Sequence, residues 1–317
     1  MVSFTSERNA SHRSQSVRQL RNPTIFTDID KPNFAMSNRP RYASMLRREL
    51  CARNVSYAAL GQVPYVTSYG EVPVVVYQAS PCGKKHGNFI SASYHALTRR
   101  PEWGKRLAKV HSSADRALPK GDCVWKELDS SMSSDALLMN IFCYPGVTKR
   151  KELSSILGTE IGDLPEFGFK PRIPLTSGFV ERTEIDMKLG SVLFEAKLTE
   201  ADFQTQNAAI VEGYRDLETV FEIRGLPRRG QKYRSYQLLR NVLAAHALDL
   251  SFCLLLDARR PDLIEDWYEI LRCIRTFELR SRCKVLTWQG LAQVLPKRLR
   301  MFLDLKYGVM PQRSQHA

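Results

Sequence analysis

The fold class this sequence predicts is α/β, and three stretches predict it. Ile185–Glu195 is rich in strand formers on both sides of a Leu189-Gly190 turn signal, which reads as a β-hairpin. Phe252-Cys-Leu-Leu-Leu256 is a short continuous apolar run, as expected of a strand buried on both faces. Around these lie two helical patterns, Ser133–Tyr144 and Tyr233–Leu248.

Taken in chain order, residues 1–45 are rich in Ser, Arg, Asn and Pro and show no sustained hydrophobic period. They read as a basic, mostly disordered tail, although an organelle transit peptide has similar composition. The globular domain is expected over 46–317, beginning with a helical elaboration. Pro101–His111 reads as a helix with proline in its first turn. Ser133–Tyr144 is a capped apolar helix stopped by Pro145-Gly146. Residues 155–182 carry Gly, Pro and Phe with little period, and are expected to supply a first core strand and a loop over the site. A helix-like pattern over 206–222 precedes the Tyr233–Leu248 helix and the Phe252–Leu256 strand. One long helix is expected from Pro261 to Arg280, and an amphipathic C-terminal helix around Lys297-Arg298-Leu-Arg300.

At 317 residues, 43% of them hydrophobic and 25% charged, the chain can bury a full core. No apolar run reaches the length of a membrane span, and the N-terminus lacks the apolar core of a secretory signal. Seven cysteines, scattered and without a Cys-x-x-Cys, read as reduced thiols of a cytoplasmic protein. Cys82, His86, His95 and His111 fit no standard zinc spacing. There is no Walker-type phosphate loop and no Gly-x-Gly-x-x-Gly. The formal net charge of +14 favours a polyanionic partner, DNA or RNA. Basic residues gather in Arg228-Arg229-Gly-Gln-Lys232-Tyr-Arg234, in Arg272–Lys284 and in Lys297–Arg300. Such clusters bind phosphates without reading sequence, and they also suit a solvated helix face.

Against that charge, the acidic island Glu181, Glu184, Asp186, Glu195, Glu200 and Asp202 needs a cause. Side chains alternate faces along a strand, so Glu195 and Lys197 point the same way. An even-numbered turn pairs Asp186 with Leu193 and sets Asp186, Glu195 and Lys197 on one face, whereas an odd one separates them. Two carboxylates within reach of one ion make a hard oxygen site suited to Mg²⁺, with Mn²⁺ as a substitute. A nearby lysine can orient or deprotonate a water, or steady charge on a phosphate. The same residues also suit an ordinary solvent-facing hairpin.

Residues 183–197 resemble the signature of the PD-(D/E)XK nuclease superfamily, with its restriction-endonuclease-like fold. The resemblance implies a core of helix, three strands, helix and strand (αβββαβ), a mixed central sheet flanked by helices, with further helices added. It implies Asp186 and Glu195 as metal ligands, Lys197 as the catalytic lysine and the Ala196 carbonyl as an extra ligand. Ile185 stands where the family's proline would be. The first core helix of the family often contributes an acid. Glu127 is the preferred third ligand here, with Asp129 and Asp135 as the other candidates. Tyr236-Gln237 resembles a supporting element of exonuclease-like members, and Gln237 also reads as a plain polar helix residue. The blocks His86–Phe89, Trp125–Asp129, Ser134–Asn140 and Phe302–Gly308 resemble a little-characterised bacterial branch, over roughly residues 80–309.

The expected function is a Mg²⁺-dependent deoxyribonuclease, endonuclease favoured, with Arg228, Arg229, Lys232 and Arg234 on the nucleic acid. A homodimer is one arrangement that would cut both strands of a duplex. The rivals are a non-cleaving nucleic-acid-binding protein on the same fold and an RNA-directed nuclease. Lys197 is expected on the protein surface, where its removal would alter stability little.

Overall fold

Five strands make the central sheet: β1 (Glu166–Phe169), β2 (Ile185–Leu189), β3 (Val192–Ala196), β4 (Ser251–Leu256) and β5 (Cys283–Thr287), in the spatial order β5-β4-β3-β2-β1. The run β3-β4-β5 is parallel, while β2 is antiparallel to both β1 and β3, so the sheet is mixed. The computed structural model describes residues 34–68, 72–80, 82–110, 124–161 and 164–310, with side chains from residue 41.

Helices cover both faces of this sheet. On one side α1 (Phe34–Gly61), α2 (Ser134–Phe142) and α4 (Lys297–Tyr307) pack over Met187, Val192, Phe194, Ala196, Cys253 and Leu255. On the other, α3 (Tyr236–Ala247) and the helix Pro261–Leu271 pack over Leu193, Phe252, Leu254 and Leu256. The period-two alternation of strands divides β3 and β4 between two cores, which is why β4 reads as an unbroken apolar run. Each fully buried Phe or Leu in these layers contributes about 1.5–3 kcal/mol over leaving it exposed. The αβββαβ order expected for the core is the order α2-β1-β2-β3-α3-β4, extended by β5.

The β2–β3 connection is a two-residue turn, Gly190-Ser191, with Leu189 paired to Val192 and Gly190 at φ +55°. Glycine takes that left-handed conformation without a Cβ clash. The ladder runs on through Lys188↔Leu193 to Met187↔Phe194, so Leu193 faces Lys188 rather than Asp186 as expected. The register differs by two residues, and two is the strand period, so the paired residues keep the faces expected of them.

Other elements depart further from expectation. Helix α1 starts at Phe34 and crosses the expected tail boundary at 45; residues 1–33 lie outside the described residues. Its buried stripe Ala43, Leu46, Leu50, Asn54 and Ala58 has helical spacing, hidden in the sequence by the intervening arginines and by Asn54 itself. Asn54 is buried because it accepts from Lys306 Nζ at 2.6 Å and from the Tyr77 hydroxyl at 3.0 Å. Burial holds the Lys306 amine well below its ordinary pKa, while the Tyr77 ring, 3.9 Å from Nζ, favours the cation.

The expected 101–111 helix is a single α-turn, Pro101–Gly104, followed by a 3₁₀ turn Lys105–Ala108, and Val110 then bridges Lys126. Residues 206–222 break into Gln206–Asn207, Ala208–Val211 and Leu217–Val220, with Gly213 at the interruption. The helix expected over Pro261–Arg280 ends at Leu271. A second, Phe277–Arg282, starts where Thr276 Oγ1 accepts from the Leu279 amide. Strand β5 is hidden in the sequence within a basic cluster, because Cys-Lys-Val-Leu-Thr has no clear alternation. Cys51, Cys82, Cys143, Cys253, Cys273 and Cys283 are free thiols; Cys123 and His111 lie outside the described residues.

Candidate functional site

At the open end of the β2–β3 hairpin the sheet departs from plain backbone pairing. Asp186 Oδ2 accepts the Ala196 amide at 2.7 Å, replacing a backbone acceptor. Glu195, only 2% exposed, has both oxygens bonded: Oε1 accepts from Lys197 Nζ at 2.6 Å and Oε2 from Asn241 Nδ2 at 2.7 Å. Lys197 follows β3 directly and is itself 5% exposed, so it is not the surface residue expected. Its Nζ lies 5.7 Å from the centre of the Phe203 ring, and its backbone carbonyl accepts from Trp288 Nε1 at 2.9 Å.

The loop beyond Lys197 is held just as firmly. Glu200 accepts from the Leu198 amide and from Ser134 Oγ, each at 2.6 Å. The fully buried Arg260 donates to the carbonyls of Glu200 and Ala201, and Arg47 donates to that of Thr199. These bonds come from several distant elements and converge on one short loop. Rigid supports of this kind fix a lysine within tenths of an ångström.

Charge at the site is uneven. Burial, then the neighbouring charges of Glu195 and Asp135, push the Asp186 carboxyl well above the ordinary carboxylate range. Lys197 and the Ala196 amide oppose this without overcoming it. Burial also acts to raise Glu195, but the Lys197 ammonium, Arg240 and the Asn241 hydrogen bond hold it below its ordinary value. Burial disfavours the Lys197 cation, yet Glu195, Glu200 and Asp186 keep its pKa above the ordinary lysine value. Lys197 is therefore an ammonium at neutral pH, and Asp186 is the carboxylate whose charge is least compensated.

The acid that helix α2 brings to this group is Asp135, 6% exposed and ion-paired to Arg106. Arg106 also donates to Glu184, two residues before Asp186, at 3.1 Å. The preference for Glu127 as third ligand finds no support in the geometry. Glu127 pairs with Lys109 at 3.0 Å, and its charge acts on Asp135 rather than ranking among those at Asp186. It sits in the 3₁₀ turn Glu127–Asp129, whereas Asp135 sits in the first turn of the core helix that packs on β3. Asp129 bonds His86 and the Lys126 amide, so it supports that loop.

The Tyr236-Gln237 pair does not touch the carboxylates. Tyr236 bonds the Tyr214 hydroxyl at 2.8 Å, and the buried Gln237 Oε1 has no hydrogen-bond partner. Helix α3 meets Glu195 one turn later, through Asn241, whose Oδ1 accepts from Arg240. A signal for this was present: Arg240-Asn241 interrupts an otherwise apolar, buried run, and a buried polar pair needs a partner.

The basic loop folds into a small antiparallel sheet, Gln206–Asn207, Lys232–Tyr233 and Arg228–Arg229. Arg228 pairs with Glu212 at 2.9 Å and Arg234 with the buried Asp266 at 3.0 Å, so both are internally committed. Arg229 and Lys232 are exposed. Among the described residues, no three His, Cys, Asp or Glu side chains converge closely enough to hold a metal ion, and no helix is long and apolar enough to cross a membrane.

No curated protein and no solved structure matches the chain. A family model does match, over residues 68–308, a span that contains the whole sheet and every residue of the buried acid group. The chain belongs to the family described as restriction endonuclease associating with ARP.

Proposed function

We propose that this protein is a Mg²⁺-dependent nuclease of the PD-(D/E)XK type that hydrolyses phosphodiester bonds in DNA. The observation that carries the reading is the cluster at the open end of the hairpin, where Asp186 Oδ2 accepts the Ala196 amide and Lys197 is bonded to Glu195. Membership of a restriction-endonuclease-associated family supports a nuclease-related role.

The donor set is the test for a metal. Asp186 and Glu195 are hard oxygen donors, and burial with acidic neighbours disfavours the charged form of Asp186, which Lys197 offsets only in part. That suits a divalent cation. Mg²⁺ commonly takes one or two carboxylates and completes its shell with water and phosphate, so a third carboxylate is not required. Asp186 and Glu195 would hold the ion, and a bound ion would supply Lewis-acid charge at the scissile phosphate and a more acidic water.

The chain's own groups have distinct tasks. Lys197, held as an ammonium, orients the attacking water and balances charge growing on the phosphate; it does not take up a proton. Asn241 keeps the Glu195 carboxylate turned toward the group. Arg106, anchored between Asp135 and Glu184, is a buried cation that holds those two acids together. Water attack at phosphorus forms one P–O bond and breaks the bond to the departing sugar oxygen; the proton lost by the water passes to solvent, and the departing oxygen takes one from solvent.

A second reading has one observation in its favour: both oxygens of Glu195 are already bonded by protein groups. A chain locked in that state would bind nucleic acid without cutting it. Purified full-length protein incubated with circular and linear DNA, with and without Mg²⁺, separates the two. The nuclease reading expects Mg²⁺-dependent cutting that Asp186→Asn abolishes. If DNA and RNA both stay intact with Mg²⁺ and with Mn²⁺, the non-cleaving binder replaces it.

A further inference from the structure

Between β1 and β2 the chain makes a second, smaller hairpin, with Ile173–Pro174 paired to Val180–Glu181. Its tip is braced on two sides. The Leu175 amide donates to the Phe179 carbonyl and the Thr176 amide to the Gly213 carbonyl, each at 2.9 Å. The Arg215 amide donates to the Pro174 carbonyl at 3.1 Å, and Gly178 turns the chain at φ +84°. On this fixed tip Phe179 is 76% exposed. Single exposed apolar side chains are common, so Phe179 by itself carries no inference.

The base of the same hairpin adds an independent observation. Arg172 and Arg182 flank the outermost rung, Ile173↔Glu181, from opposite strands, and both are exposed. Among the described residues neither joins an ion pair or a side-chain hydrogen bond. Lys170 beside them is 63% exposed and reaches Glu184 only at 4.0 Å. Like charges on opposed strand positions repel, so folding gains nothing from this placement, whereas an anion between them would relieve it. The contrast with Arg228 and Arg234, each held by a carboxylate, is direct. The location also fits the site, since Arg182 lies four residues before Asp186, at most about 14 Å along an extended chain.

We propose that this hairpin is a nucleic-acid finger, with Arg172 and Arg182 gripping phosphates of the strand in the site and Phe179 stacking on an unpaired base. The inference rests on the nuclease reading and narrows its substrate: DNA with a single-stranded segment beside the scissile bond. A base inside a duplex has both faces covered by its neighbours, and only an unpaired one offers a face to an aromatic ring.

The test is binding of labelled oligodeoxynucleotides to the full chain in metal-free buffer, single-stranded against blunt duplex of the same sequence. Phe179→Ala should weaken single-strand binding about tenfold and leave duplex binding within about twofold, and Phe179→Trp should restore it. Arg172→Gln with Arg182→Gln should weaken both and flatten the log–log salt slope for single strands by about 1.4, or about 0.7 for each phosphate no longer neutralised. Circular dichroism melting confirms that each variant is folded. The proposal is overturned if folded variants bind as wild type does, if Phe179→Ala weakens duplex and single strand equally, or if wild type binds no nucleic acid. The two readings fail separately. Normal cutting with unchanged binding in the variants removes the finger and spares the nuclease. The expected binding pattern without any cutting removes the nuclease and spares the finger.

Discussion

The chain contains two glycine-turned hairpins in succession, and they treat charge in opposite ways. In the β2–β3 hairpin, Glu195 and Lys197 are nearly inaccessible and each is bonded to the other. In the Ile173–Glu181 hairpin, Arg172 and Arg182 stand exposed and unpaired on opposing strands. Burial accounts for the difference. An unpaired charge inside the protein carries a penalty of several kcal/mol, so Glu195 and Lys197 of the inner hairpin are held as a bonded pair. Water tolerates like charges at the surface at a cost of tenths of a kcal/mol, so the outer hairpin can keep them for a partner. The inner charges thus specify chemistry and the outer ones specify what is bound.

The largest expected effect breaks the inner group. Lys197→Ala leaves a buried Glu195 short of its cation, and urea unfolding should show a loss of about 3–5 kcal/mol along with the loss of cleavage. A loss below about 1 kcal/mol would mean that the pair is solvated and that the contrast between the hairpins is wrong. Next is Asn241→Leu, which strands Glu195 Oε2. It should lower stability by about 1.5–3 kcal/mol by the same measurement, as expected for a hydrogen bond to a charged group.

Asp186→Asn should act with the opposite sign in metal-free buffer. The folded carboxyl titrates above its ordinary value, so its contribution is fully present below the ordinary carboxylate pKa and is lost as pH rises through the folded value. The amide escapes that loss and can still accept the Ala196 amide hydrogen. Its melting temperature should match wild type near pH 3 and exceed it increasingly toward neutral pH. Mg²⁺ should then raise the melting temperature of wild type more than that of Asp186→Asn, since an ion that binds only the folded state stabilises it. A variant less stable than wild type at pH 7 would show that Asp186 is not in charge surplus.

The smallest effect sharpens the other side of the contrast. Arg172→Gln with Arg182→Gln should raise stability by up to about 1 kcal/mol, because it removes cross-strand repulsion and no internal bond. Arg234→Gln should destabilise instead, because it removes an ion pair with the buried Asp266. Equal effects from the two changes would mean that the two sets of arginines are not differently committed.

Much of the site was legible because its signals are local. Strand formers around Leu189-Gly190 mark the hairpin, and an acidic island in a basic chain marks the place where charge needs a cause. The register lies two residues away from expectation, with Lys188 rather than Asp186 against Leu193, because the ladder closes on the two-residue turn Gly190-Ser191. The supporting residues were less legible. The sequence favours Glu127 and Gln237, but Asp135 and Asn241 occupy the places beside the carboxylates. Glu127 sits in a separate 3₁₀ turn paired with Lys109, whereas Asp135 is on the core helix, and Asn241 is one turn away from Gln237 on the same helix.

By itself the sequence determined the α/β class, the strands that divide two cores, and the hairpin. These follow from period, turn chemistry and composition, which act over a few neighbouring residues. Only the tertiary structure decided that Lys197 is buried, that Arg106 and Asp135 join the group, that distant elements hold the loop after Lys197, and which arginines remain free. Those outcomes depend on pairings across long sequence separations, such as Arg106 with Asp135, Asn241 with Glu195 and Arg260 with Glu200. They depend also on burial, which sets whether a charge must find a partner, and burial is a property of the packed molecule rather than of any stretch of chain.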